Sequence, residues 1–158
     1  ESRVGRGTTY RIHFPAVSGI PEPAKEGSLS LDLAGPLRGR VLLVEDDDAV
    51  RELSRRILEG AGLEVIASAC PSAAIEEIAK GIEVDLLLTD VVMPEMSGQD
   101  LADRLRLAHP GLVVLFMSGY AQDERVLATV ERDPRSHFLP KPFAPATLVR
   151  AVAGALAV

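Results

Sequence analysis

The sequence predicts an α/β fold built on a parallel sheet with both faces covered. Three observations carry this expectation. From residue 40 onward, short apolar runs alternate with segments of helical periodicity. The runs are continuously apolar, as in strands buried on both faces. Five such strand–helix units fit in about 119 residues, and strands that alternate with helices imply parallel pairing.

The elements follow in order. Val41-Leu42-Leu43-Val44 is the first strand, and Val50, Leu53, Ile57, Leu58 and Ala61 recur at helical spacing. Asp47 or Asp48 is placed to cap that helix, and Gly60 and Gly62 to stop it. Leu63–Ala67 reads as the second strand, and Pro71 opens a helix through Ile75, Ile78 and Ala79 that ends at Gly81. Val84–Thr89 is the third strand. Ser97-Gly98-Gln99-Asp100 resembles a capping box before Leu101, Ala102, Leu105 and Ala108, and His109-Pro110-Gly111 breaks the helix. Leu112–Met117 is the fourth strand, Val126, Leu127 and Val130 mark a weaker helix, Ser136–Leu139 is the fifth strand, and Pro145 opens a last helix through Leu148, Val149, Val152 and Leu156. A flavodoxin-like doubly wound (βα)5 sheet of order 2-1-3-4-5 and a Rossmann-type order both fit; five strands favour the first. In either, ligands bind outside the carboxyl ends of the strands.

Composition narrows the function classes. The 158 residues suit one domain plus a tail. Apolar residues make up 47% and charged residues 25%, which provides a core and excludes wholesale disorder. No run of 18 apolar residues occurs and the start, Glu1-Ser2-Arg3, has no apolar signal region, so neither a membrane contact nor secretion is expected. The single cysteine, Cys70, forms no internal disulfide, and the default setting is cytoplasmic. Residues 1–40 carry a net charge of +2 and residues 41–158 a net of −8. With six aromatics and no Trp, the acidic part lacks both the basic footprint and the stacking platform that nucleic acid requires.

The first forty residues differ in texture. Thr8–Phe14 alternates and is rich in β-formers, so a single strand without a partner is expected there. Pro15, Pro21, Pro23 and Pro36 with Gly19, Gly27, Gly35 and Gly39 then read as a linker. The organisation expected is an N-terminal segment at 1–15, a linker at 16–39 and a domain at 40–158.

Chemistry gathers at the strand ends: Glu45-Asp46-Asp47 after the first, Asp90 after the third, Ser118 after the fourth and Lys141 after the fifth. Each has a plainer reading. An acidic run complements a helix dipole, a lone Asp caps a turn, Ser118-Gly119 turns the chain and Lys141 is solvated. Four independent strand ends supplying compatible groups argue against the plain readings together. Three carboxylates within about 4–5 Å repel by several kcal/mol per pair at an effective dielectric of roughly 20, which a divalent cation relieves. All-oxygen ligands at an open site favour magnesium. A carboxylate nucleophile, a cation, an ammonium and a hydroxyl make a phosphoryl-transfer constellation.

Val41–Asp47, Leu88–Gly98, Leu115–Tyr120 and Phe138–Phe143 resemble, in order, the four signatures of two-component response-regulator receiver domains. The resemblance implies Asp90 as phosphoacceptor from the phosphohistidine of a kinase. It implies magnesium held by Asp46, Asp90 and the Val92 carbonyl, with Glu45 bound through water, and Ser118 and Lys141 on the phosphoryl group. Phe138 takes the place of the switch aromatic that responds with Ser118, and the Lys141–Pro142 bond is expected to be cis. Such a domain catalyses its own phosphorylation and slow dephosphorylation. Glu45 and Ser118 stand where Asp and Thr are commoner, and Val92 and Tyr120 flank the site, which predicts slow hydrolysis of the aspartyl phosphate.

Ser2–Pro15 resembles the end of a histidine-kinase ATP-binding domain, with its last glycine box and closing strand. The expectation is therefore the C-terminal receiver of a hybrid sensor histidine kinase, without ATP binding or kinase activity of its own. His13, His109 and His137 lie in no phosphohistidine-like helix, so the donor comes from outside, from the kinase or a histidine phosphotransfer protein. No DNA-binding output domain is expected to follow, and the output expected is a protein contact at the helix-four to helix-five face near Phe138, which would also serve a dimer. Two rivals are a pseudo-receiver that never takes up phosphate and an unrelated nucleotide- or flavin-binding domain. The second lacks a glycine-rich phosphate loop after the first strand.

Overall fold

The computed structural model describes residues 2–3, 7–8, 11, 35–119 and 124–157, in two units, Glu1–Ser30 and Leu31–Val158. In the first, β1 (Ser2–Arg3) pairs antiparallel with β2 (Gly7–Thr8), Ser2 opposite Thr8 and Arg3 opposite Gly7. This corrects the expected partnerless strand at Thr8–Phe14. Thr8 ends a strand that has a partner, Arg11 lies in no strand, and Thr9, Tyr10 and Ile12–Phe14 fall outside the described residues. Gly7 stands at φ +85°, a left-handed conformation that glycine adopts without strain.

The second unit alternates without exception: β3 (Arg40–Val44), α1 (Asp48–Gly60), β4 (Glu64–Ser68), α2 (Pro71–Ala79), β5 (Leu86–Asp90), α3 (Gly98–Ala108), β6 (Val113–Ser118), α4 (Glu124–Arg132), β7 (Ser136–Pro140) and α5 (Pro145–Leu156). All four pairings are parallel and the order is β4-β3-β5-β6-β7. Counted within this sheet, that is 2-1-3-4-5, the flavodoxin-like order; the Rossmann-type alternative is excluded.

Period-two alternation distributes the continuous apolar runs over two cores. Val41, Leu43, Leu86, Leu88, Leu115 and Met117 face α1 and α5, where Leu58, Leu148 and Val152 meet them. Leu42, Val44, Leu87, Val114 and Phe116 face the other way, onto Ala74 and Ile78 of α2, Leu101 and Leu105 of α3 and Val126 of α4. A strand read this way has no polar face, which is why its sequence shows no alternation.

Strand boundaries run slightly later than the apolar runs suggest. Leu63 donates its N–H to Leu58 O and still belongs to the end of α1. Asp85 stays outside β5 because its carboxylate accepts the Arg40 N–H at 2.7 Å. Leu112 closes the preceding turn on His109 O. At the other ends the ladder continues through Ser68, Asp90, Ser118 and Pro140, so Asp90 and Ser118 are strand residues held by pairing.

The caps are specific. Asp47 Oδ1 accepts from Ala49 N at 2.8 Å and Val50 N at 3.0 Å, deciding between the two candidate caps of α1. Ser97 Oγ accepts from Asp100 N at 3.1 Å and donates to Asp100 Oδ2 at 2.6 Å, so the expected box closes through the hydroxyl. Residues 36–39, assigned above to the linker, pack on the α1–β4 turn. Leu37 N donates to Ala61 O at 2.9 Å, and its side chain lies against the α1/α5 core.

Gly62 sits under that segment at φ +100°, where a Cβ would lie 2.8 Å from Leu37 O and 3.0 Å from Pro36 Cβ. Gly62→Ala is expected to lower the unfolding free energy by about 1–3 kcal/mol, from left-handed backbone strain and displacement of the docked segment. Gly60→Ala, at a helical position with open space around it, is expected to be neutral or stabilising by less than about 1 kcal/mol. Urea midpoints for the two variants check this; equal midpoints would show that the turn relaxes.

Candidate functional site

Parallel pairing brings every carboxyl end of the sheet to one edge. Glu45 follows β3 and donates its N–H to Ser68 O at 3.2 Å. Asp90 ends β5 opposite Met117, and Ser118 ends β6 opposite Pro140. Lys141 follows β7 and donates its N–H to Ser118 O at 2.8 Å. The backbone thus aims all four sequence-predicted strand ends at the same place, and the Lys141–Pro142 bond is cis as expected.

Lys141 Nζ lies at the centre. It is 2.6 Å from Glu45 Oε2 and 2.7 Å from Asp90 Oδ2, bridging side chains 96 and 51 residues away in sequence. The Glu45 side chain is 1% exposed, that of Asp90 16% and that of Lys141 19%. Burial pushes the Glu45 carboxyl up, more than the hydrogen bond and charge of Lys141 pull it down, and the neighbouring Asp90 charge adds to the rise. Burial alone would lower Lys141, but its hydrogen bonds to Asp90 and Glu45 reverse this and hold the ammonium above the ordinary lysine value. One ammonium shared between two carboxylates stays charged, and the more deeply buried carboxylate bears the penalty.

Asp46, exposed at the mouth, completes a set in which one carboxylate oxygen each from Glu45, Asp46 and Asp90 lie within 4.8 Å of one another. Three carboxylates against one ammonium leave the pocket net negative. An all-oxygen donor set that is open on the Asp46 side fits a hard divalent cation that retains water. Val92 extends from the same edge, its N–H donating to Asp90 Oδ1 at 3.3 Å and its side chain 65% exposed.

Ser118 is buried at the end of β6. Phe138 is half-buried in β7, in register with Phe116, and packs on the α2/α3/α4 core. Tyr120 and His13 lie outside the described residues, His109 is the C-cap of α3 and His137 lies in β7.

Arg51 was not singled out from the sequence. Its guanidinium donates to Glu45 O at 2.8 Å and pairs with Asp48, so it holds the backbone of the acidic turn from the first turns of α1. An arginine three residues after Asp48 in an acidic run was the available signal. Beside Lys141 runs a mostly apolar groove lined by Val50, Leu53, Gly119, Pro142 and Phe143. Leu53 is 57% exposed there, and the buried Ser54 hydroxyl at the groove has no hydrogen-bond partner.

Known proteins resemble this chain over the stretch that carries the acidic edge. Sensor kinase CckA of Brucella abortus (strain 2308) is 41% identical over 152 residues, covering 90% of this chain and 16% of that protein. The response regulator receiver protein CpdR of the same organism is 40% identical over 82 residues, 52% of this chain and 68% of that one. Among solved structures, the receiver domain of hybrid histidine kinase CckA superposes with a TM-score of 0.63 at 34% identity, covering 75% of this chain and 99% of that domain. Chemotaxis response regulator CheY4 of Vibrio cholerae gives 0.64 at 25% identity, covering 75% and 99%. This chain therefore spans about a sixth of the sensor kinase it matches. The model of the response regulator receiver domain matches residues 41–153, the stretch that carries the sheet and every residue of the acidic edge, and the chain belongs to that family.

Proposed function

We propose that this domain is the phosphoacceptor of a two-component phosphorelay, with Asp90 as the residue phosphorylated. The observation that carries the reading is the Lys141 ammonium bound at once to Glu45 and Asp90, beside the third carboxylate of Asp46. An Asp90 carboxylate oxygen attacks the phosphorus of a phosphohistidine. The new O–P bond forms as the N–P bond breaks, and its electron pair returns to the imidazole nitrogen. Magnesium, when held by Asp46, Asp90, the Val92 carbonyl and, through water, Glu45, supplies positive charge to the transferred oxygens. Lys141 keeps its charge throughout and contacts the phosphoryl oxygens, and the Ser118 hydroxyl donates to another. Ser118 and Phe138 then pass the change to the α4–β7–α5 face, which serves output contacts and any dimer.

The donor approaches over the groove beside Lys141, because that residue lines both the groove and the acidic pocket. A helix bearing the phosphohistidine would cover Leu53 and Phe143. The net charge of −8 over residues 41–158 supports a protein partner over nucleic acid.

The parent is read as a hybrid sensor histidine kinase working in the cytoplasm, with residues 1–15 from the end of its ATP-binding domain, 16–39 a linker and 40–158 the receiver. Similarity to the sensor kinase over 90% of this chain, beyond the receiver match at 41–153, supports this. Among the described residues no helix is long and apolar enough to cross a membrane.

Incubation with acetyl phosphate and magnesium is expected to add one phosphoryl group by intact mass, with none added to Asp90→Asn or without magnesium. A folded wild type that stays unmodified and fails to bind beryllofluoride would instead be a pseudo-receiver. Leu53→Asp, a change on an exposed side chain, is expected to slow transfer from a phosphorylated histidine-kinase domain by about tenfold or more and to leave uptake from acetyl phosphate unchanged. Equal slowing with both donors would remove the groove from the reading. With Val92 beside the site and Tyr120 two residues after Ser118 in the sequence, the aspartyl phosphate is expected to outlast the seconds scale; loss of the label within seconds in a chase would contradict this.

A further inference from the structure

The reaction as proposed uses the side chain of Asp90, but the Asp90 carbonyl oxygen is held as well. From one side, Thr89 Oγ1 donates to it at 2.9 Å. From the other, Gly98 presses against it so closely that a Cβ there would sit 2.1 Å from the oxygen and 3.0 Å from both Asp90 C and Thr89 Cγ2. Gly98 is the first residue of α3, its side is buried, and its N–H donates to Val91 O at 2.9 Å. Its φ is an ordinary one, so the glycine is required for space and not for backbone freedom. Thr89 is fully buried on the α2/α3/α4 side of the sheet, where among the described residues its hydroxyl meets the Asp90 carbonyl and, at 4.0 Å, Met93 Sδ.

We propose that Thr89 and Gly98 are positioning residues for the phosphoacceptor, locking the Asp90–Val91 peptide plane so that the carboxylate and the Val92 backbone keep one relative geometry. The inference rests on the phosphoacceptor reading of Asp90. The physical reason is direct. Rotation about the Asp90 Cα–C bond would swing this carbonyl out of its slot and carry Val91 and Val92 with it. That would break the contact of Val92 N–H with Asp90 Oδ1 at 3.3 Å and displace the Val92 backbone relative to the Asp90 carboxylate. The Thr89 hydroxyl and the close approach of the Gly98 backbone, together with the Val91 N–H donated to Met117 O at 3.0 Å, remove that freedom. Neither residue touches the phosphoryl group, and both act through Asp90.

Thr89→Val keeps the shape and β-branching of the side chain and deletes only the donor; Thr89→Ser restores the donor. In the full chain, at saturating acetyl phosphate and magnesium, Thr89→Val is expected to lower the phosphorylation rate on the order of tenfold with little change in KM, and Thr89→Ser to recover most of it. Gly98→Ala, which must displace the carbonyl, is expected to fall by as much as about a hundredfold, the penalty of an ångström-scale misplacement. The Asp90, Val91 and Val92 amide resonances of the metal-free protein should move in Thr89→Val and return in Thr89→Ser, a readout that global stability does not affect. A Thr89→Val protein with wild-type rate and unmoved amides overturns the inference, as does a Thr89→Ser protein as slow as Thr89→Val. Should Gly98→Ala fail to fold, the Thr89 pair still decides. No phosphorylation of the wild type would overturn the phosphoacceptor reading instead, and the amide shifts would then test the positioning by themselves.

Discussion

Everything at the acidic edge depends on one ammonium. Glu45 is almost wholly buried and Asp90 nearly so, and two carboxylates this close to each other repel strongly in a medium less polar than water. Lys141 lies within 2.7 Å of both and is the counter-charge that lets them share a pocket. A buried pair of this kind adds little net stability over an apolar substitute, but deleting one partner strands a buried charge. Net stability alone therefore does not account for the pocket, and its geometry is demanding because half of a satisfied network is worse than none.

The sheet meets that demand by placing the charged groups on backbone that cannot drift. Asp90 and Ser118 are the last paired residues of β5 and β6, and Lys141 N–H is tied to Ser118 O. Below them the strands are buried on both faces by two separate cores, so a shift of any strand end would disturb packing on both sides at once. Arg51 performs the same service for the acidic turn from α1.

Much of this was legible in the sequence, for reasons that can be stated. Continuous runs such as Leu86-Leu87-Leu88 can only be two-face-buried strands when helices flank them, and once the strands are parallel their chemistry-bearing ends must converge. Asp46, Asp90 and Lys141 were found by that convergence, and the structure brings their side chains together. What remained hidden depends on contacts that have no local pattern. The start of β5 was misplaced because Asp85 answers to Arg40, 45 residues away. Thr89 was read as the end of the third strand and Gly98 as part of a capping box; the approach of Gly98 to the Asp90 carbonyl exists only once α3 is docked. The partner of Thr8 was missed for a different reason, since a two-residue strand such as Ser2–Arg3 carries no periodicity to read.

Glu45 shows how resting geometry and proposed chemistry meet. Its extra methylene lets a carboxylate that starts from the backbone of the first strand's end reach Lys141 directly at 2.6 Å. In the proposed reaction Asp90 loses its carboxylate charge as it becomes an acyl phosphate, and the phosphoryl oxygens bring negative charge to the same side of the ammonium. Lys141 can then exchange one anionic partner for another while Glu45 continues to hold it from behind. The ammonium does not have to be recruited from solvent or reoriented when charge develops, which is the condition under which a fixed ion contributes most to a transfer step. By this logic the strong resting ion pair is preorganisation, and a lysine left free to sample solvent would hold the same charge yet lose most of its effect.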